Sequence, residues 1–221
     1  GTWTKTADGP RVRSSHAMAS LGNGKVLMYG GDGDGILNAP VNDAWIFTLS
    51  SNEKNGKETG TWTQIQTADR PSARSGHAMS SLGNDKVLMY GGSSNGDTFN
   101  DAWIFTLSIN EKNGKETGTW TQTVDGPSAR YSHAMSSLGN GKVLMYGGED
   151  NNGLLNDAWM FTLSINEKNG KETGTWKPTA DGPSARMRHA MSSLGNGKVL
   201  MYGGDDNNGV ALNDAWIFTL S

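Results

Sequence analysis

The sequence predicts an all-β protein built from four tandem copies of one unit, and three observations carry that prediction. The string KVLMYGG stands whole at 25–31, 86–92, 142–148 and 198–204; a period of this size marks a repeat architecture whose units share their core. Two tryptophan series keep the same step, Trp3, Trp62, Trp120 and Trp176 in one and Trp45, Trp103, Trp159 and Trp216 in the other. Glycine makes up 31 of 221 residues without a collagen period, and no stretch sustains a helical one. Many short strands joined by tight turns fit that composition.

Each unit reads in a fixed order: GTWT, a GP or RP turn, R-x-x-HAM-x-SLG, KVLMYGG, a variable loop, and NDAW-[IM]-FTLS. The HAM-x-SLG run is the first expected strand. SLGNGK at 20–25 then places Asn-Gly between two strand-like runs, a tight hairpin signal. KVLMY is apolar almost throughout, as a strand covered on both faces would be. NDAWIFTLS alternates Trp45, Phe47 and Leu49 with Ala44, Ile46 and Thr48, the period of two of a strand. GTWT is the fourth strand, reached through INEKNGKETG. There Asn113-Gly114 reads as a second hairpin turn, with polar arms projecting into solvent. The paired glycines would let one strand end approach neighbouring backbone closely.

Four similar strands per unit, a double glycine closing the second, and the tryptophans of NDAW and GTW resemble the kelch repeat, as does the P-x-x-R-x-x-H-A lead-in. The match runs the length of the chain. The NDAW-to-GTW spacing is longer than the family pattern, and the INEKNGKETG ribbon supplies the excess. The resemblance implies a single β-propeller domain, 1–221, of four four-stranded antiparallel blades. They are expected at about 11–66, 72–123, 128–179 and 184–221, the last completed by 1–6. The chain opens on a fourth-strand segment and ends on a third-strand segment, so pairing the two would seal the ring and remove an open edge. A monomer is the expected state. The alternatives are a two-chain, eight-bladed ring and a piece of a longer array.

Among the four copies, differences concentrate in two places: the two residues after each lead-in arginine, and the loop after each double glycine. Both connections fall on one rim of an up-and-down blade, and all seven arginines stand in or beside the proline turn. Loops on a rigid scaffold carry recognition. The candidate ligand-binding rim is therefore Arg11, Ser14, Arg70, Ser75, Tyr131, Met187 and Arg188. The repeated Arg13, Arg74, Arg130 and Arg186 are expected to pair with Asp43, Asp101, Asp157 and Asp214, because buried arginine seldom lacks a carboxylate.

The remaining motifs point away from chemistry. His16, His77, His133 and His189 come one per unit without nearby ligand partners; a structural role, hydrogen-bonded to backbone, is expected and no metal site is assigned. The Asp/Asn/Gly loops at 32–35, 149–153 and 205–209 lack the spacing of a calcium loop, and turn chemistry accounts for them. Some enzymes of the resembling fold carry copper beside a cysteine-crosslinked tyrosine; this chain has no cysteine. Nucleophile-elbow, phosphate-loop and zinc-protease motifs are missing. No cofactor and no catalysis are expected.

A net charge of −3 gives no electrostatic basis for binding nucleic acid or an acidic membrane. No apolar run approaches the roughly 20 residues of a spanning helix. The opening Gly1 reads as the start of a trimmed or mature piece, and a cysteine-free composition suits any compartment. The function expected is a non-catalytic binding module whose rim contacts a protein, peptide or glycan, its arginines favouring acidic groups. The alternative is a structural or engineered repeat scaffold without a native ligand.

Overall fold

The computed structural model describes residues 1–33, 39–51, 56, 58–67, 69–166 and 168–220. Its regular structure is entirely β. Blade 1 comprises β1 (Ala17–Gly22), β2 (Lys25–Tyr29), β3 (Ala44–Ser51) and β4 (Glu58–Ile65). Blade 2 comprises β5 (Ala78–Gly83), β6 (Lys86–Tyr90), β7 (Ala102–Ile109) and β8 (Glu116–Gln122). Blade 3 has β9 (Ala134–Gly139), β10 (Lys142–Tyr146), β11 (Ala158–Ile165) and β12 (Glu172–Pro178). Blade 4 has β13 (Ala190–Gly195), β14 (Lys198–Tyr202) and β15 (Ala215–Thr219). Within each blade the strands pair antiparallel in chain order. The innermost strands β1, β5, β9 and β13 adjoin in that order around the axis, giving the four blades of a β-propeller.

The period-two pattern decides which side chains reach which neighbour. In blade 2, Val87, Met89, Phe105, Leu107 and Trp120 face blade 1 and pack on Leu27, Tyr29 and Ile46. Leu88, Tyr90, Ala102 and Ile104 point the other way, onto Met145 and Phe161 of blade 3. A sheet covered on both faces needs apolar residues at every strand position, which is why KVLMY shows so little alternation. Phe105 and Phe161 are completely buried, each contributing on the order of 2–3 kcal/mol.

Two glycine roles are visible. A Cβ on Gly30 would lie 2.6 Å from the Arg74 carbonyl of the next blade, and one on Gly31 2.8 Å from the His16 Cβ. The GTW glycine lies beneath a phenylalanine ring, Gly118 under Phe105 for example, so the ring can lie flat across the fourth strand.

The β1–β2 hairpin turns are left-handed at both central residues: Asn23-Gly24, Asn84-Asp85, Asn140-Gly141 and Asn196-Gly197. This is the conformation that tight hairpins select. The Asn113-Gly114 expectation needs correction. The ribbon of blade 2 turns through Asn110–Lys115, with the Gly114 and Asn113 amides both donating to the Asn110 carbonyl, and of the two only Gly114 is left-handed. Its arms are also tethered. Glu116 reaches Lys25 of blade 1 at 2.7 Å, and Glu172 of blade 3 reaches Lys86 of blade 2 at 3.1 Å. The corresponding turn at 52–55 lies outside the described residues.

The expected strand closure is not made. Blade 4 has three strands, Gly1–Thr6 forms none, and Trp3 is fully exposed. The cause is reach. Trp3 precedes Arg13 by the same ten residues that separate Trp120 from Arg130, a step that ties it to whichever blade stands in front of blade 1. β13 and β1 are not joined as the other inner strands are, so the free edge of β15 stays out of range.

Asp85 stands where the other three hairpins carry glycine, at φ 57°. Asp85→Gly is expected to raise stability by about 0.5–1 kcal/mol, read as an increase in the urea unfolding midpoint at constant slope.

Candidate functional site

The lead-in arginines are held by three different parts of the chain. Arg74, wholly buried, pairs with Asp101 through both terminal nitrogens, at 2.6 and 2.8 Å. Its Nη1 also donates to the Gly91 carbonyl at 2.9 Å, and its Nε to the Ser72 carbonyl at 3.1 Å. One planar guanidinium thus ties the proline turn, the double glycine and the start of the NDAW strand. The Trp103 ring N–H donates to the same carboxylate at 2.6 Å. Arg130 with Asp157 and Arg186 with Asp214 repeat this geometry, and Arg13 with Asp43 makes the same paired contacts.

Burial pushes Asp101 and Asp157 upward, but the arginine hydrogen bonds and charge overcome it and hold both below the usual carboxylate range. At the more open Asp214, hydrogen bonds from Arg186 and Trp216 lower the carboxylate furthest.

On this clamp sits a row of variable residues. Ser14 pairs with Asp32 in a two-residue ladder, while Ser75, Tyr131 and Met187 form single bridges to Ser93, Glu149 and Asp205. The proline turns and the loops after the double glycines are thereby adjacent on one rim. The next residue is left-handed in all four copies: Ser15, Gly76, Ser132 and Arg188, with φ between 53° and 64°. Their amides run from copy to copy, Gly76 N to Ser15 O at 3.0 Å, Ser132 N to Gly76 O at 2.8 Å and Arg188 N to Ser132 O at 2.9 Å. A continuous main-chain row results, with differing side chains displayed along it.

Ser14, Arg11, Arg70 and Arg188 are exposed, and Ser75, Tyr131 and Met187 half-buried. Tyr131 donates to Glu149 at 2.6 Å, which raises the phenol pKa. Arg188 reaches Asp205 at 3.3 Å. Arg11 and Arg70 flank prolines ahead of the row rather than standing in it. Four of the seven arginines are drawn inside by their aspartates, as the repeat pattern suggests, while Arg11, Arg70 and Arg188 stay exposed; beside the row, Glu149 takes Tyr131 and Asp205 takes Arg188. The carboxylates of the variable loops serve as turn acceptors: Asp150 takes the Asn152 amide at 2.7 Å and Asp206 those of Asn208 and Val210. Residues 34–35 of the first such loop are not described.

The histidines also differ from expectation. His77, His133 and His189 are buried, and their ring nitrogens have no hydrogen-bond partner among the described residues. Each stands edge-on to a tyrosine of the preceding blade, with ring centres 5.8, 5.5 and 5.4 Å apart against Tyr29, Tyr90 and Tyr146. Those tyrosine hydroxyls take the carbonyls next door instead, Tyr29 donating to Pro71 at 2.6 Å. Burial, with the nearby arginine, pushes His77 down to about 3 and His189 to about 4, and His133 well below the ordinary value. Among the described residues no three metal-ligating side chains converge.

The left-handed row escaped the sequence reading. Gly76 was its one signal, masked by Ser15, Ser132 and Arg188 at equivalent positions.

The whole chain matches a family model, the KLHDC2/KLHL20/DRC7 Kelch-repeats domain, over residues 2–122 and 113–221. Adagio-like protein 1 of Oryza sativa is 27% identical over 225 residues, 99% of this chain and 33% of that protein. Adagio protein 3 of Arabidopsis thaliana is 27% identical over 213 residues, 94% of this chain and 31% of the other. An F-box/kelch-repeat protein of Arabidopsis thaliana is 28% identical over 163 residues, 71% and 32% of the two chains. The chain spans about a third of the length of these curated relatives.

Arg130→Ala is expected to lower stability by about 3–5 kcal/mol, since it strands the Asp157 carboxylate, and Arg130→Lys to recover only part, because one ammonium cannot span three acceptors. Urea midpoints against wild type read both. The three neutral, buried histidines also set a pH dependence. Below about pH 6.5 the unfolded chain takes up protons that the folded one refuses until about pH 4 or lower, so stability falls with acidification across that window. The slope is about 1 kcal/mol per pH unit for each histidine. Unfolding at pH 7, 6 and 5 should show it, reduced by one proton's share in His133→Phe.

Proposed function

Because the chain belongs to the kelch-repeat family, we propose that it is a non-catalytic interaction module whose variable row docks a protein or peptide. Kelch-repeat propellers generally bind proteins, and the relatives carry the repeat within longer polypeptides. One observation carries the reading: an invariant framework of arginine clamps and stitched main chain presents the residues at which the copies differ. Ser14, Ser75, Tyr131 and Met187 occupy equivalent backbone positions, so the row is rigid where affinity needs preorganisation and varied where recognition needs difference.

Tyr131 and Met187 offer apolar surface, Glu149 and Asp205 carboxylates, and Arg188 a single exposed guanidinium. The partner fitted to this row presents an aliphatic or aromatic side chain flanked by lysine or arginine. The four repeated arginines are engaged by their aspartates, so the charge beside Tyr131 and Met187 comes from Glu149, Asp205 and Arg188. Arg11, Ser14, Arg70 and Ser75 form the flank toward blades 1 and 2.

Selection from a random peptide library displayed on phage tests the reading. Retained peptides should combine a basic residue with an apolar one. Their affinity should drop about tenfold or more in Tyr131→Ala/Met187→Ala/Arg188→Ala, with the circular dichroism spectrum and melting temperature unchanged. Peptides that bind the triple variant equally well exclude this row as the site.

A further inference from the structure

The junction of blades 1 and 2 and that of blades 2 and 3 share one frame. Lys25 of blade 1 donates to Thr48 at 3.2 Å and pairs with Glu116 of blade 2 at 2.7 Å. Lys86 of blade 2 donates to Thr106 at 2.9 Å and pairs with Glu172 of blade 3 at 3.1 Å. Behind each ion pair the later blade offers the glycine of its GTW segment, Gly118 in one junction and Gly174 in the other, each beneath a phenylalanine ring of its own blade. Ile46 and Ile104 hold equivalent places on the earlier blades, and both are buried.

What fills the frame differs. In the first junction it is Ile65, 7% exposed and clustered with Ile46 and Phe105; its Cγ2 lies 2.8 Å from where a Cβ on Gly118 would stand. Three residues after the next tryptophan of that series stands Thr123. It keeps the register, its amide donating to the Ala102 carbonyl at 2.9 Å as Ile65 pairs with Ala44. Its hydroxyl occupies the place over Gly174, 2.5 Å from the corresponding point. Isoleucine carries an ethyl group where threonine carries only that hydroxyl. Beside the half-buried Thr123 a groove of about 340 Å³ opens, lined by Ile104, Thr121, Val124, Thr173 and Gly174 among others. Val124, at its mouth, is 49% exposed.

We propose that the groove between blades 2 and 3 takes a branched aliphatic side chain from an extended segment of a partner protein, which does at this junction what Ile65 does at the one before. The first junction sets the chemistry of the occupant, because the same frame of lysine, threonine, glutamate and glycine there closes over an isoleucine. Charge points the same way. Glu172, the one charged residue lining the groove among the described residues, is already held by Lys86, so nothing in the groove compensates a charged group brought into it.

The neighbouring main chain suits an extended segment. β8 is the outermost strand of blade 2 and pairs only with β7 among the described residues, so its other edge offers main-chain donors and acceptors to a strand laid along it. Thr121 lies opposite Ile104 and Thr119 opposite Thr106, which puts Thr119, Thr121 and Thr123 on the face that looks toward blade 3. Alternate side chains of an added strand fall on that same face. No groove residue belongs to the variable row, so the contact is separate from the one proposed for the rim.

Magnetic resonance titration of the isotope-labelled protein tests this with two acetylated, amidated peptides, Thr-Thr-Ile-Thr-Lys and the same sequence with alanine in place of isoleucine. The isoleucine peptide should shift the amides of Thr121, Thr123, Val124, Thr173 and Gly174, and bind about tenfold or more tightly than the alanine peptide. Thr123→Ile fills the groove with the residue that the first junction already accepts. It should raise the melting temperature and lower affinity for the isoleucine peptide about tenfold or more, so the loss of binding cannot come from misfolding. Tyr131→Ala/Met187→Ala/Arg188→Ala should leave that affinity unchanged. Absence of shifts at these amides with millimolar peptide, equal affinity for the two peptides, undiminished affinity in Thr123→Ile, or lost affinity in the triple variant overturns the proposal.

Discussion

The arrangement depends most heavily on a buried guanidinium. Each lead-in arginine meets an aspartate, a glycine carbonyl and a carbonyl of the proline turn, a serine's for Arg74, Arg130 and Arg186 and that of Arg11 for Arg13, from three stretches of sequence. A planar cation with donors on several edges satisfies all of them at once, where separate neutral donors would each need their own place in a crowded corner. The cost of burying the charge is met by a bidentate carboxylate that stays ionised at neutral pH. What the clamp fixes is the connection between blades. The same arginine that closes one blade's lead-in offers its carbonyl to the double glycine of the blade before.

That linkage explains why the strands tolerate so little change while the rim varies. A residue such as Leu88 or Phe105 packs against a neighbouring blade as well as its own, so altering it disturbs packing in two sheets. The residues after the arginine hold their place through main-chain amides, and any side chain that accepts a left-handed or bridging backbone can stand there. Arg188 and Gly76 therefore occupy one geometric position with very different chemistry. Recognition has room to vary because the row is stitched by backbone rather than by side chains.

Strand identity, blade order and the two-sided burial of KVLMY were legible in the sequence, since each follows from a period of two written four times over. The arginine–aspartate pairing was legible as well, because both residues recur in step and neither is comfortable alone in a core. The acidic side of the rim was less so, because the bridging of Tyr131 to Glu149 and of Met187 to Asp205 joins a proline turn to a variable loop without a pattern in the letters. The histidine contacts were equally hidden, since edge-on packing against tyrosine leaves no pattern in sequence spacing. Strand closure failed for a different reason, because the distance Gly1–Thr6 must cover is a property of all three blade junctions together.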